Sequence, residues 1–439
     1  MEPRTRTDPQ DSTGPQPDPR SGPESQWDVI VVGAGLAGLA AAATARRHGA
    51  RVVVLEAHRA GGRARTVERQ GFILNMGAHA LYARGPGAAV LAELGISPLG
   101  TPPPLASYRA LASGTQYLLP SGPASLVRTR LLGPRAKGRL TRFFVRLARA
   151  APGRLGTVSM AEWLDGQHLG PDAAPVVRAL VRLSTYTDDL VGCSADAAVA
   201  QLQVASRGGV LYLHGGWGPL VGSLAAGVTV RSGVEVTGLG VGTDGVSVHS
   251  SEGTYAASRI VLATGGPAAV RRLLPDDPGW GDLGGPVTAA CLDVGVRGVP
   301  TPGYVLSLDD PVYVTVQSPP GRQAPEGDAV VAAIRYGSRT AAEDRAQLDG
   351  LLGQAGVVDD RIVTRRFLAS MTVAGALPRP GSGGLAGRPA VTATGVPGVS
   401  MAGDWVGPVG LLADAALASG RAAGLEAVQG GRRSSKMVR

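Results

Sequence analysis

One segment constrains this chain more than any other: Asp28-Val-Ile-Val-Val-Gly33-Ala-Gly35-Leu-Ala-Gly38-Leu. Val29–Val32 is an unbroken β-branched run, which reads as a strand buried on both faces. Glycines then fall at 33, 35 and 38, and alanines follow as a helix. Gly33 suits the tight turn after the strand, and Gly35 lets backbone approach a pyrophosphate. Gly38 lets the helix pack close to the strand. The helix start, with Leu36 and Ala37, offers free N–H groups and a positive dipole end to phosphate. A second buried strand, Arg51-Val-Val-Val-Leu-Glu56, follows. The β–α–β order predicts a parallel pair with a right-handed crossover. Glu56 stands at the strand end, where a carboxylate accepts both hydroxyls of an adenosine ribose and disfavours a 2′-phosphate. Strand, helix and acid together specify a dinucleotide site, where three spaced glycines alone would not.

Further strands are predicted at 228–230, 234–237, 246–249 and 259–263. Thr340 and Glu343 form a capping box ahead of a helix carrying Leu348, Leu351 and Leu352. Residues 398–404 read as a last strand and 411–426 as an Ala-rich helix. The longest uncharged run, 208–230, contains 7 glycines and Pro219, so it does not read as a membrane span. Residues 1–26 are rich in Pro, Asp, Gln and Ser and are expected to be a disordered leader without a secretory pattern.

The formal net charge of +9 suggests a polyanionic partner until it is resolved along the chain. Residues 126–150 carry +8, the basic tail 429–439 carries +4 and the leader −2, which leaves the body at −1. Basic residues are not interleaved with stacking aromatics, so no nucleic-acid partner is expected. Cys193 and Cys291 make no disulfide framework, and the six histidines show no metal spacing. No metal is expected, and a cytoplasmic protein is. Leu140, Phe143, Phe144 and Leu147 fall on one helical face opposite Arg139, Arg142, Arg146 and Arg149. Segment 138–150 therefore has two readings: a peripheral contact with the inner face of a membrane, or a cap helix with a solvated arginine face, which is preferred.

Past Glu56, Gly61-Gly62-Arg63-Ala-Arg-Thr66 resembles the second fingerprint of the flavin-dependent amine oxidase and phytoene desaturase superfamily. Arg259–Gly266, Gly233-Val-Glu-Val236 and Gly398–Trp405 with Gly407 and Gly410-Leu-Leu412-Ala-Asp414 resemble further segments of it. Gly215-Gly-Trp217-Gly-Pro-Leu-Val221 is similar to a stretch of its desaturase branch. The resemblance implies non-covalent FAD, since residues 400–414 contain no cysteine. It implies that Gly62 and Arg63 lie near the pyrophosphate and that the Val236 backbone contacts adenine. It also implies that Gly403 and Asp404 reach the ribityl region, and that the helix start at Leu412 lies at the flavin pyrimidine edge. A helix dipole there stabilises negative charge on reduced flavin.

The expected fold is α/β: a Rossmann-like FAD-binding domain (27–80, 205–270 and 385–428) with an inserted α+β substrate domain (81–204 and 271–384). The expected function is FAD-dependent oxidoreduction of a small, largely apolar, carotenoid- or isoprenoid-like substrate, by hydride transfer to flavin N5. The amine-oxidising members use a lysine near N5. Only Lys137 and Lys436 exist here, neither in a matching context, which counts against amine oxidation. Amine or porphyrinogen oxidation and a non-catalytic flavin-binding partner stand as alternatives. His79 is the candidate acid or base, or else a packing histidine that bonds backbone. Tyr82, His214, Trp217 and Trp405 are candidate pocket walls, or else ordinary buried side chains.

Overall fold

The structure, a computed structural model, describes residues 27–242 and 245–437. The expected disordered leader lies outside them. A seven-stranded sheet is built from β1 (Trp27–Val32), β2 (Val52–Glu56), β3 (Thr229–Ser232), β4 (Val236–Gly242), β5 (Gly245–Ser250), β6 (Gly253–Leu262) and β7 (Val399–Met401). Its order is β3-β2-β1-β6-β5-β4, with β7 also beside β6. β1, β2, β3, β6 and β7 pair in parallel, while β4, β5 and β6 form an antiparallel meander. Strands from residues 27, 52, 229, 253 and 399 onward thus share one sheet. Val29–Val32 are at most 3% exposed, as expected for a sheet covered on both faces.

Helix α1 (Leu36–Arg47) packs on this sheet and against the long C-terminal helix, which runs from Leu412 to Met437 and itself touches β6 and β7. The C-terminal helix is longer than the sequence pattern suggested and includes most of the basic tail. Small residues set the spacing of the two helices. A Cβ on Gly420 would lie 2.2 Å from the Ala37 carbonyl oxygen, and one on Gly424 2.5 Å from that of Ala41. Gly420 and Gly424 are therefore a packing requirement against α1.

A second seven-stranded sheet runs in the order Ile362–Ala374, Val287–Val296, Ala329–Tyr336, Val312–Val316, Tyr304–Ser307, Tyr108–Ala112, Thr115–Leu118. Its pairs are antiparallel except Tyr304–Ser307 against Tyr108–Ala112, which joins two distant chain segments. Helices Pro134–Arg149, Gly170–Thr185 and Ala195–Gly208 contribute to the hydrophobic core packed on this sheet. Leu140, Phe143 and Leu147 are 1–2% exposed within that core, and Phe143 packs edge-on against Trp163. The stripe offered as lipid-facing is consumed by the fold, which gives the segment the geometry of a cap helix. Thr340 Oγ1 accepts from Glu343 N, and Glu343 Oε2 accepts from Thr340 Oγ1 and N, as the capping box predicts. Among the described residues, no helix is long and apolar enough to cross a membrane.

Candidate functional site

A cavity of about 1310 Å³ begins at the carboxyl ends of β1 and β2 and extends into the second sheet and its helices. Ligand pockets ordinarily span roughly 300–1,000 Å³, so there is room for a large cofactor and a substrate together. All its charged side chains, Glu56, Arg59, Arg63, Arg65, Glu235, Arg272 and Asp404, come from segments around the first sheet.

At that end Gly33 turns the chain with φ +101°, where a Cβ would meet the Ala263 carbonyl oxygen at 2.6 Å. Gly38 is a packing position, with a virtual Cβ 1.9 Å from Gly33 O, and it does not face the cavity. Gly35, Leu36 and Ala37 do. The first N–H groups of α1 have neither an intrahelical acceptor nor a side-chain cap. Glu56 accepts from Ala34 N (2.7 Å) and His58 N (2.8 Å), so its carboxylate is oriented and keeps lone pairs for another donor. Gly62 backs onto Gly35, and Val236 lines the same wall. Thr264 Oγ1, beside the cleft, is buried without a protein partner.

In the middle of the cavity Arg63 Nη1 donates to Asp404 Oδ2 (2.8 Å) and to Val373 O (2.7 Å). Asp404 also accepts from Gly375 N. Gly403 lies beside this pair. Leu412, at the start of the C-terminal helix, adopts φ +54°, strained for a branched side chain, and faces the cavity with Ala413.

His79 and Trp217 mark the passage to the second half, their rings edge-to-face at 5.4 Å. His79 Nδ1 donates to Gly77 O at 2.9 Å. Burial, reinforced by the charges of Arg63 and Arg366, pushes the imidazole below its ordinary pKa, so it is held neutral. Behind it Arg366 ion-pairs Asp293 (2.5 Å) and donates to Asn75 O, while Asn75 Oδ1 accepts from Trp217 N (3.0 Å). Buried charges thus brace the backbone that carries His79.

The second half is a chamber of leucine, valine, proline and tyrosine side chains, with Phe144 of the cap helix among them. Tyr82 donates to Ser184 O (3.3 Å), and burial pushes its hydroxyl up to about 12. Tyr186 donates to Ala78 O (3.0 Å) and accepts from Tyr313. Tyr212 shares a hydrogen bond with Thr315 (2.6 Å). Tyr108, Tyr186, Tyr212 and Tyr313 escaped the sequence reading, because they converge only when separate strands and helices fold together.

Two expected wall residues are elsewhere. Trp405 is 1% exposed in the core of the first sheet, against Trp280 at 5.1 Å, and donates Nε1–H to Gly265 O (3.0 Å). His214 is turned away, with Nε2 at 2.9 Å from Thr101 Oγ1. Both lie near glycine motifs in sequence, but each sits in a turn, where nearness along the chain does not fix the direction of a side chain.

The family model of flavin-containing amine oxidoreductases matches residues 36–290, more than half of the chain. This chain belongs to that family. It is 37% identical over 112 residues to the mitochondrial protoporphyrinogen oxidase of Nicotiana tabacum, a match over 25% of this chain and 22% of that protein's length. Among solved structures it is similar to an oxidoreductase from Methanosarcina mazei (TM-score 0.71, 17% identity, 91% of this chain and 100% of that one). It is also similar to putrescine oxidase bound to putrescine (0.68, 19%, 92% and 99%). Cyclohexylamine oxidase from Brevibacterium oxydans gives 0.67 at 18% identity, over 92% and 99%. At such identities the likeness establishes a shared fold.

Membership of the family implies a flavin, and the residues present fit a flavin dinucleotide. The uncapped start of α1, the open space over Gly35, the oriented Glu56 carboxylate and the orphaned Thr264 hydroxyl suit its nucleotide end. The uncharged chamber suits the ring and its substrate.

Proposed function

We propose that this flavin-dependent oxidoreductase binds FAD non-covalently and oxidises a largely apolar, uncharged organic molecule, with desaturation of an isoprenoid-like chain as the leading reaction. The observation that carries this reading is the distribution of charge in one continuous cavity. Charged side chains line the dinucleotide end and, with Arg63 and Asp404, the middle, and none lines the tyrosine-rich chamber beyond His79.

When bound, FAD supplies the acceptor for a hydride equivalent. The remaining work is the protein's. Glu56 and the start of α1 hold the adenosine and pyrophosphate. Arg63, fixed by Asp404 and Val373 O, presents a cation midway along the cavity. The chamber walls exclude water and align an apolar chain. His79, neutral and oriented by Gly77 O, is the titratable group placed to take or give a proton where the two halves meet.

Porphyrinogen oxidation is a second reading, favoured by the 112-residue match to the Nicotiana tabacum enzyme. Amine oxidation is less well supported. The chamber lining includes no lysine, and Lys137 Nζ donates to Val127 O on the outer helices. The test is anaerobic mixing of the FAD-loaded protein with a polyene in detergent, a porphyrinogen and putrescine in parallel, following loss of the oxidised flavin absorbance. Bleaching by the polyene supports the proposal. Bleaching by putrescine alone or porphyrinogen alone would replace it with the corresponding alternative.

A further inference from the structure

A buried arginine behind the start of the C-terminal helix takes no part in the site described so far. Arg388 is 9% exposed. Its Nη1 donates to the Gly410 carbonyl at 2.9 Å, and its Nε is buried without an acceptor. Gly407 N donates to the neighbouring Pro389 O at 2.9 Å. Segment 388–389 is therefore stitched to the loop that delivers Leu412 and Ala413 to the cavity wall.

The charge on Arg388 is poorly compensated. Asp404 and Asp196 attract it, yet both carboxylates are committed to other donors. Asp404 serves Arg63 and Gly375 N. Asp196 serves Ser194 Oγ, Ala197 N and Leu385 N. Among the described residues, no carboxylate lies within ion-pair distance of Arg388. Burial outweighs the two acids and pushes its pKa down to about 10, which still leaves it charged at neutral pH. A buried arginine with one carbonyl acceptor is costly to the fold, so its charge calls for a use.

We propose that Arg388 is a positioning residue that biases the bound flavin toward its reduced form, by adding a buried positive charge to the helix start at Leu412. The inference rests on the reading of this cavity as an FAD seat. Two-electron reduction with uptake of one proton leaves one negative charge on a flavin. That charge is favoured where helix N–H groups and a guanidinium point the same field at it. In general, a unit charge at about 10 Å and an effective dielectric of about 20 changes such an equilibrium roughly tenfold. Arg388 thus acts through the loop and the field, while Arg63 faces the cavity directly.

The experiment is a dye-equilibrated redox titration of FAD-loaded wild type, Arg388→Gln and Arg388→Lys, with FAD content and thermal unfolding measured on each. Arg388→Gln is expected to shift the oxidised-to-reduced equilibrium at least about tenfold toward oxidised flavin, about 30 mV for two electrons. Arg388→Lys keeps the charge and stays within about threefold of wild type. A fully loaded Arg388→Gln within threefold of wild type overturns the proposal, as does an equal shift in both variants, which would signal a structural role alone. Where Arg388→Gln fails to fold or load, Asp196→Asn decides. Removing a carboxylate that attracts Arg388 should move the equilibrium severalfold toward reduced flavin, and no shift overturns the proposal. Wild-type protein that binds no FAD at all would instead refute the seat on which the inference stands.

Discussion

Gly35 and Gly38 are three residues apart, yet the structure separates their roles, and a pair of alanine substitutions tests that separation. A methyl group at position 35 meets no protein atom within 4 Å, and the backbone there (φ −75°, ψ 179°) is ordinary extended geometry. Alanine restricts the unfolded chain, worth about 0.4–1 kcal/mol, but it is a poorer helix N-cap than glycine by a similar amount. The two effects oppose, so flavin-free Gly35→Ala should unfold within about 1 kcal/mol of wild type. The same methyl fills the space a pyrophosphate needs. An overpacking cost of about 1–3 kcal/mol weakens FAD binding roughly five- to hundredfold. At position 38 the methyl falls 1.9 Å from Gly33 O and 3.2 Å from Ala263 Cβ. A backbone oxygen cannot rotate aside, so α1 must lift off the sheet on the order of 1 Å, at a cost of about 3 kcal/mol. Urea denaturation of the flavin-free proteins, with calorimetric FAD titration of each, reads both quantities. Gly35→Ala binding FAD as tightly as wild type, or Gly38→Ala as stable as wild type, would refute this division of roles.

Two further substitutions probe burial. Asp414, third in the C-terminal helix, is 1% exposed and accepts from Gly87 N, with its other oxygen unpartnered. Burial raises it to about 6, so the folded protein holds a proton that the unfolded chain releases near pH 4. Stability should therefore fall by roughly 3 kcal/mol as pH rises from about 4 to about 6, and Asp414→Asn should flatten that slope in urea titrations. An unchanged slope in the variant would place the titration elsewhere. Phe143, 2% exposed beside Trp163, should lose about 3–5 kcal/mol of stability as Phe143→Ala. A loss under about 0.5 kcal/mol would mean an exposed ring and would revive the bilayer reading of this helix.

The strand-end cleft was legible before folding because its geometry is local. Strand, turn, helix start and acid lie between Asp28 and Glu56, and backbone rules alone bring Gly35, Leu36, Ala37 and Glu56 to one strand-end cleft. The uncapped helix start needs only its own sequence to present N–H groups. Trp405 and His214 were misplaced for the complementary reason. Proximity to a motif along the chain does not tell which way a side chain points, and Trp405 turned into the core while His214 met Thr101.

The chamber was decided only by tertiary packing. Tyr108, Tyr186, Tyr212 and Tyr313 come from four separate segments, and no periodicity links them. Tyr108 and Tyr313 share a sheet because Tyr304–Ser307 pairs with both Tyr108–Ala112 and Val312–Val316, and Tyr212 and Tyr186 reach them through their hydroxyls. The same holds for the basic helix. Its amphipathic face was evident in the residues, but a bilayer and a protein core select the same apolar stripe. Which of them covers Leu140, Phe143 and Leu147 depends on what the rest of the chain brings against them, and here that is Trp163 and the helices behind the chamber.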